Sequence, residues 1–233
     1  MNSNRKIAII VGVLYIIATV AGILSVVFLG PILDAPDYLI NVSENENKVR
    51  AGVLFEFIMA FAVAGIPIMI YPILKKYNEG LALWHVGARI FEGVIGIVGV
   101  ISLLTLLTLS QEFVKAGAPD ASCFQTSGTL LIAVRGCFPV FGTLVFAIGA
   151  LIFNYLLYQL KLIPRFLPVW GIIGAILLFP AGILALYGHY PSTIDTILWI
   201  PTGVYEMVLA VWLIVKGFNP SALASESAKT DKN

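Results

Sequence analysis

Long runs of apolar residues, separated by short polar segments, dominate the pattern of this 233-residue chain. Each run reaches or exceeds the roughly 20 residues that an α-helix needs to cross about 30 Å of hydrocarbon. Strand-like alternation is absent, and only helices or closed barrels satisfy their backbone hydrogen bonds in lipid. The pattern therefore predicts an all-α, polytopic membrane bundle of six transmembrane helices. The predicted spans are Ile7 to Gly30, Ala51 to Leu74, Leu81 to Leu109, Thr126 to Leu160, Phe166 to Tyr187 and Thr196 to Val215.

The composition supports a membrane protein and excludes an ordinary soluble domain. Hydrophobic residues make up 59% of the chain and charged residues 12%, whereas soluble domains carry roughly 25% charged residues. We expect residues 1–220 to form a single six-helix transmembrane domain. Residues 221–233 are small, polar and charged, and we expect them to be a disordered cytoplasmic tail. The third and fourth spans exceed the bilayer thickness, so they should tilt or extend beyond it.

Positive charges fall mainly on one side of the predicted membrane. The connections on the opposite side hold three basic residues, Lys48, Arg50 and Lys115, against seven acids. Cytoplasmic loops of membrane proteins carry the excess of Lys and Arg, so the pattern predicts that both termini are cytoplasmic. The nine basic residues on the predicted cytoplasmic side are Arg5, Lys6, Lys75, Lys76, Lys161, Arg165, Lys216, Lys229 and Lys232.

Five ionisable residues lie inside the predicted spans, where a lipid-facing helix should carry none. An ionisable group in hydrocarbon costs about 2.5 to 3.5 kcal/mol on insertion scales, so these side chains should face one another or a wet cavity. Together with His85 they are the candidate binding site or charge network. The five residues are Glu56, Arg89, Glu92, Arg135 and Glu206.

The third span carries the densest group of polar side chains. His85, Arg89 and Glu92 are spaced four and three residues apart and therefore project from one helix face. Gly96 and Gly99 continue this face, and small residues at such spacing let another helix approach closely. Two interpretations remain open: an Arg89–Glu92 pair that neutralises itself with His85 at the interface, or a role in proton, ion or head-group binding.

Depth within the spans divides the other charges into two layers. Glu56 and Arg135 both lie near the predicted outer ends of their helices and are predicted to pair. Glu206 lies at the centre of the sixth span, and its best partner is Arg89. Carboxylates near the midplane are typical of proton or cation handling. We therefore predict that Arg89, Glu92 and Glu206 converge on a polar cavity.

Motifs of common enzymes and cofactor-binding proteins are missing from the sequence. It contains no H-E-x-x-H, G-x-S-x-G, P-loop or G-x-G-x-x-G motif and no zinc-type cysteine spacing. Cys123 falls in an outer connection and Cys137 inside the fourth span, and the two should lie too far apart to form a disulfide. We expect no cofactor, no metal and no nucleic-acid partner, and the absence of a visible nucleophile and base pair disfavours an enzyme.

Several sequence segments resemble one membrane family. They are the run from Leu162 to Leu167 leading to Gly171 and Gly174, the segment Pro201 to Glu206, and the segment Trp212 to Phe218. Asn4 to Lys6, Gly12 to Tyr15 and the helix with Arg89 and Glu92 are similar as well. In this order they resemble the prokaryotic membrane family called domain of unknown function 4386, over nearly the whole chain. The resemblance implies a bacterial or archaeal inner-membrane protein and transfers no activity.

Three classes of function are compatible with these features. Small-molecule or ion binding or transport is favoured, with the buried charges as the site, and it predicts a cavity that reaches Arg89 and Glu206. A sensory or accessory membrane subunit predicts a sealed structural charge network. An intramembrane lipid-modifying enzyme predicts that His85, Arg89 and Glu92 open to the cytoplasmic head-group layer.

Overall fold

The computed structural model describes residues 2–117, 121–188 and 192–223, without the side chains of 121 and 192–196. Across these ranges the chain forms seven helices and no strand. The helix Glu79–Ala116 follows Asn78, whose side chain accepts a hydrogen bond from the Leu81 amide at 2.9 Å, and it ends at Gly117, which has φ 64°. The helices are α1 Ser3–Leu33, α2 Tyr38–Glu44, α3 Glu46–Leu74, α4 Glu79–Ala116, α5 Ala121–Leu160, α6 Phe166–Leu186 and α7 Ser192–Val215.

The structure confirms the predicted all-helical class and the six long apolar helices. In the part of the chain that the structure describes, six helices are long and apolar enough to cross a membrane, and each contains or closely matches one predicted span. Their ends extend into polar sequence that a hydropathy pattern does not assign, as in the additional residues of α4 up to Ala116. The short α2 was not predicted. It lies in the connection between α1 and α3.

The long helices form a closed ring in chain order. Each packs against the next one, and α7 returns to pack against α1. Close helix approach at Gly12 contributes to this closure, because a Cβ atom there would lie 2.7 Å from the Ala210 carbonyl oxygen. The ring surrounds an interior that side chains from different helices fill, and this arrangement positions the polar residues described below.

Apolar side chains cover the outside of the ring. Large hydrophobic residues are exposed on every long helix, for example Val26, Phe61, Phe91 and Ile176. A soluble protein does not expose a continuous apolar surface of this extent. The chain is therefore an integral membrane protein with several helices that face lipid.

The beginning of α1 and the end of α7 lie at the same end of the bundle. Arg5 donates hydrogen bonds to the carbonyl oxygens of Leu213 at 2.9 Å and Ile214 at 2.5 Å. The connection between α5 and α6 lies at this end as well. The backbone amide of Asn219, shortly after α7, donates a hydrogen bond to the carbonyl oxygen of Leu162 in that connection at 2.8 Å. We call this end the basic end, since Arg5, Lys6, Lys161, Arg165 and Lys216 are there; the opposite end, with Asp34, Asp37, Glu44, Glu46 and Glu112, is the acidic end.

The predicted tail is only partly within the described residues. Ser221 to Leu223 form a helical turn, and Ala222 and Leu223 pack against the hydrophobic core at the basic end. Residues 224–233, and with them Lys229 and Lys232 of the predicted charge distribution, lie outside the described part. The two cysteines, Cys123 and Cys137, are free and exposed, as their spacing predicted.

Candidate functional site

Buried and half-buried polar side chains form two groups at different depths in the ring. The outer cluster, the buried Ser25 with the half-buried Glu56 and Arg135, lies towards the acidic end. The core cluster, the buried His85, Arg89 and Glu92 with the half-buried Glu206, lies deeper. On α4, Arg89 of the core cluster and Gly99 beside Arg135 are ten residues apart, which corresponds to about 15 Å along a helix axis. The two clusters are therefore separate sites.

The outer cluster is a bidentate ion pair with one additional hydrogen bond. Arg135 donates one hydrogen bond to Glu56 Oε2 at 2.8 Å and another to Oε1 at 2.5 Å. The Ser25 hydroxyl also donates to Oε1, at 2.9 Å. This confirms the pairing predicted from the depth of Glu56 and Arg135. The bidentate geometry is the strongest that arginine and a carboxylate form.

Glycines of α4 lie beside this pair. Glu56 is on α3 and Arg135 on α5, and α4 lies between these helices in the ring. A Cβ atom on Gly99 would lie 3.9 Å from the Arg135 guanidinium, and one on Gly96 would lie 3.6 Å from the Phe138 ring. These are ordinary van der Waals distances, so the arginine side chain crosses the face of α4 that carries Gly96 and Gly99 without requiring glycine there.

The core cluster begins on the inward face of α4. His85, Arg89 and Glu92 are all buried, and the exposed fractions of these residues are 1%, 4% and 9%. Arg89 donates a hydrogen bond to Glu92 at 2.8 Å within the helix. The predicted common face is therefore turned into the bundle, and the local Arg89–Glu92 pair is present.

Helix α5 fixes the orientation of the two basic side chains. The His85 ring stacks on Phe153, with a centroid distance of 4.8 Å, and its Nδ1 lies 3.0 Å from the Gly149 carbonyl oxygen. The guanidinium of Arg89 lies 5.0 Å from the centre of the Phe146 ring. Gly149 permits this contact, because a Cβ atom there would lie 3.3 Å from the Arg89 side chain.

Arg89, His85 and Glu206 line one interior cavity. Glu206 comes from α7, on the same face as the buried residues Thr202, Tyr205 and Leu209. The cavity has a volume of about 20 Å³, which holds about one water molecule. The complete lining is Tyr15, His85, Arg89, Phe146, Ala150, Phe153, Asn154, Gly171, Thr202, Tyr205 and Glu206. Five of the long helices therefore meet at this point. Of the three residues predicted to converge on a cavity, Arg89 and Glu206 line it, whereas Glu92 reaches it only through its hydrogen bond with Arg89.

A hydrogen-bonded group of neutral side chains supports the cavity. Asn154 donates to the Ala150 carbonyl oxygen at 2.8 Å and accepts a short hydrogen bond from the Tyr205 hydroxyl. Gly171 of α6 lies against Asn154 so closely that a Cβ atom would overlap the amide group. These contacts join α5, α6 and α7 around the cavity.

The polar groups of the core cluster are incompletely bonded. A carbonyl oxygen only accepts, so His85 Nδ1 carries the proton that it donates to Gly149, and in the neutral ring Nε2 is an acceptor. Within the described residues, His85 Nε2 and Arg89 Nε have no hydrogen-bond partner although both are buried. Buried polar atoms are nearly always bonded to protein, water or an ion. The cluster can therefore bind one further small polar species.

Some residues of both clusters could not be identified from the sequence. Ser25, Tyr15 and Thr202 lie in apolar helices at positions that give no periodic signal. Tyr205 and Asn154 were recognisable as deep polar residues, but their mutual hydrogen bond depends on how α5 and α7 pack. No group of three or more metal-ligating side chains occurs among the residues that the structure describes.

The fold and the two clusters define a helical, multi-pass membrane protein with charges buried between its helices. The family described as Domain of unknown function (DUF4386) matches residues 10–217. The chain belongs to this family. Comparison with curated proteins and with solved structures finds no match for the chain.

Proposed function

We propose that the protein binds a proton or a small cation at the core cluster and moves it across the membrane. The observation that carries this proposal is the shared cavity of His85, Arg89 and Glu206 in the middle of the ring. A buried, incompletely bonded charge cluster is the usual position of an ion or proton site in a membrane protein.

The balance of charge supports a cationic ligand. Arg89 faces two acids, Glu92 through a direct hydrogen bond and Glu206 through the shared cavity. If both acids are ionised, the cluster carries one net negative charge in a medium of low dielectric, which is costly. A proton on one acid, or a small cation in the cavity, removes this charge. Glu206 is the better acceptor because Glu92 already has Arg89 as its partner.

The size of the cavity restricts the ligand. A volume of about 20 Å³ accommodates one water molecule or a single small ion, not an organic molecule. Transport requires that the cavity open to the two sides in turn. Pro201 lies five residues before Glu206 in α7 and cannot donate the usual helix hydrogen bond, so it offers a position where α7 can bend.

Flux measurements in vesicles test this proposal. The purified protein is reconstituted into liposomes that contain a dye sensitive to H⁺, Na⁺ or K⁺, and a gradient of the matching ion is imposed. We expect a protein-dependent flux with one of these ions and at least a tenfold loss in Glu206→Gln, since the neutral amide cannot take up a proton or hold a cation. Glu112→Gln, which changes an exposed acid, is the matched control. Absence of flux of all three ions with the wild-type protein contradicts the proposal.

An accessory or sensory membrane subunit is the second candidate. The small volume of the cavity and the direct Arg89–Glu92 hydrogen bond favour it, because a structural charge network needs no access. In that case Glu206→Gln has no effect on ion flux and changes stability alone. The lipid-modifying enzyme is disfavoured, because His85, Arg89 and Glu92 are buried instead of open to the head-group layer.

We also propose that the basic end faces the cytoplasm, in an inner or plasma membrane, on the basis of the positive-inside rule. Cysteine labelling tests the orientation. Cys123 and Cys137 are exposed and are first replaced by serine. An impermeant thiol reagent added from outside is expected to label a cysteine introduced between Asn41 and Asn47 and to spare one at Ser221. The reverse result contradicts the orientation.

A further inference from the structure

A pocket with three cations lies at the basic end. Lys161 and Arg165 belong to the connection between α5 and α6, and Lys216 follows α7. The pocket has a volume of about 500 Å³, and Trp212 and the backbone segment Gly217 to Pro220 complete its wall. We call it the basic pocket. It is separate from the core cluster, with which it shares no residue.

The three cations of the basic pocket are available to an anionic ligand. All three side chains are exposed, and among the described residues none of them forms a salt bridge with a carboxylate. The neighbouring Arg5 differs, since its guanidinium already binds three carbonyl oxygens at the end of α7. Helix α6 begins at Phe166, directly after Arg165, so its positive dipole end adds to the field.

An apolar groove leads from the basic pocket along the outside of the ring. Thr19 and Ile23 of α1 form one wall, and the exposed face of α7 forms the other, from Ile200 to Lys216. The groove and the basic pocket share Trp212 and Lys216. Sixteen helical residues span about 24 Å, which is most of the roughly 30 Å of hydrocarbon in a bilayer.

We propose that the basic pocket and the apolar groove together form a binding site for one anionic phospholipid. The phosphate binds Lys161, Arg165 and Lys216, and an acyl chain lies in the groove along α7. Trp212 lies where the two parts meet, at the depth of the interface between head groups and hydrocarbon, where tryptophan is favoured. The three cations favour an anionic lipid over a zwitterionic one, and the apolar groove favours a lipid over a soluble phosphate.

Lipid titration followed by native mass spectrometry tests the charged part of the site. We expect phosphatidylglycerol to be retained more strongly than phosphatidylcholine. Lys216→Gln should weaken phosphatidylglycerol binding about fivefold, as expected for one cation near a membrane surface. Adding Lys161→Gln and Arg165→Gln should abolish the preference. Lys76→Gln, at the same end but outside the pocket, is the control. Equal retention of the two lipids by the wild-type protein overturns the proposal.

Filling the groove tests the apolar part. Gly203 lines the groove, and a Cβ atom there meets no atom within 4 Å, so the side chain of Gly203→Leu starts in open space and extends into the groove. Gly87 of α4 has the same open surroundings, and Gly87→Leu is the matched control. We expect Gly203→Leu alone to reduce phosphatidylglycerol retention, by at least threefold. Unchanged retention, or equal competition by soluble glycerol phosphate, shows that the groove holds no acyl chain and overturns the proposed lipid site.

Discussion

The outer and core clusters each place an arginine inside the membrane bundle, but they differ in how the charge of that arginine is balanced. In the outer cluster Arg135 binds Glu56 through two hydrogen bonds, and these two charges cancel. A second acid, Asp34, also lines the adjoining pocket, but its side chain is exposed. In the core cluster Arg89 meets two acids and leaves its Nε without a partner among the described residues. The first arrangement is balanced in charge, whereas the second carries one net negative charge when both acids are ionised. Under the proposed function, the outer cluster is a structural link and the core cluster is the ion site.

Their surroundings differ as well. The side chains of Arg135 and Glu56 are 26% and 12% exposed, and a pocket of about 280 Å³ adjoins them. Those of Arg89 and Glu92 are 5% and 11% exposed, beside the cavity of about 20 Å³. Loss of one charge should therefore be screened better in the outer cluster than in the core cluster.

The largest expected effect follows from removing Arg89. Arg89→Met leaves Glu92 and Glu206 without their cation, and a buried pair that loses one partner costs about 3–5 kcal/mol. We expect a loss of this size in the free energy of unfolding, measured by denaturant titration in detergent and followed by tryptophan fluorescence. Arg50→Met, at an exposed pair with Glu46, is the control and should change stability by less than about 1 kcal/mol. Similar losses in the two variants contradict the assignment of a buried cation.

The second prediction concerns the coupling of the outer pair. Glu56→Gln and Arg135→Gln should each destabilise the protein, by about 1–3 kcal/mol, because each leaves one charge unpaired. The double variant should lose less than the sum of the two, with a coupling energy of about 0.5–3 kcal/mol. The measurement is the same denaturant titration on four proteins. Additive losses would show that the pair does not act as a unit.

These two clusters also show which features of the site can be predicted from the sequence alone. The spacing of His85, Arg89 and Glu92 predicts their common face, because helix periodicity is local. Matching depth identifies Glu56 and Arg135 as partners, since each span has only one charge at that level. Whether Arg89 binds Glu92, Glu206 or both depends on the positions of α4 and α7 in the ring. No local pattern encodes that arrangement.

The same reasoning explains the elements that the sequence did not predict. The long helices are identified by runs of apolar residues, but α2 has only seven residues and lies within a polar connection. Its side chains Leu39 and Val42 are buried against the other helices, so tertiary packing stabilises it. Isolated helices of this length are unstable in water. Tyr15 and Thr202 escape prediction for a related reason, because only the packed ring brings them to the cavity.

The third prediction uses Gly171 to distort the core cluster without changing a charge. Gly171→Ala places a methyl group against the Asn154 amide and should separate α6 from α5, at a cost of about 1–3 kcal/mol. We expect lower stability together with reduced ion flux, since Asn154 and Tyr205 line the cavity. Gly136→Ala, at a position with no atom within 4 Å of the new Cβ, is the control. Loss of stability with normal ion flux would show that the cavity has no part in ion flux.

The smallest expected effect distinguishes the two clusters by function. Ser25→Ala removes one of the three hydrogen bonds that Glu56 accepts and leaves the bidentate contact with Arg135 intact. A single hydrogen bond contributes about 0.5–1.5 kcal/mol, more when one partner is charged, so we expect a loss near 1 kcal/mol. Because the outer cluster is balanced in charge, ion flux should be unchanged when the folded fraction is equal. The flux assay with equal amounts of folded wild-type and variant protein measures this. A Ser25→Ala variant with normal stability but altered flux would mean that the outer cluster belongs to the ion pathway, and the contrast between the two clusters would no longer hold.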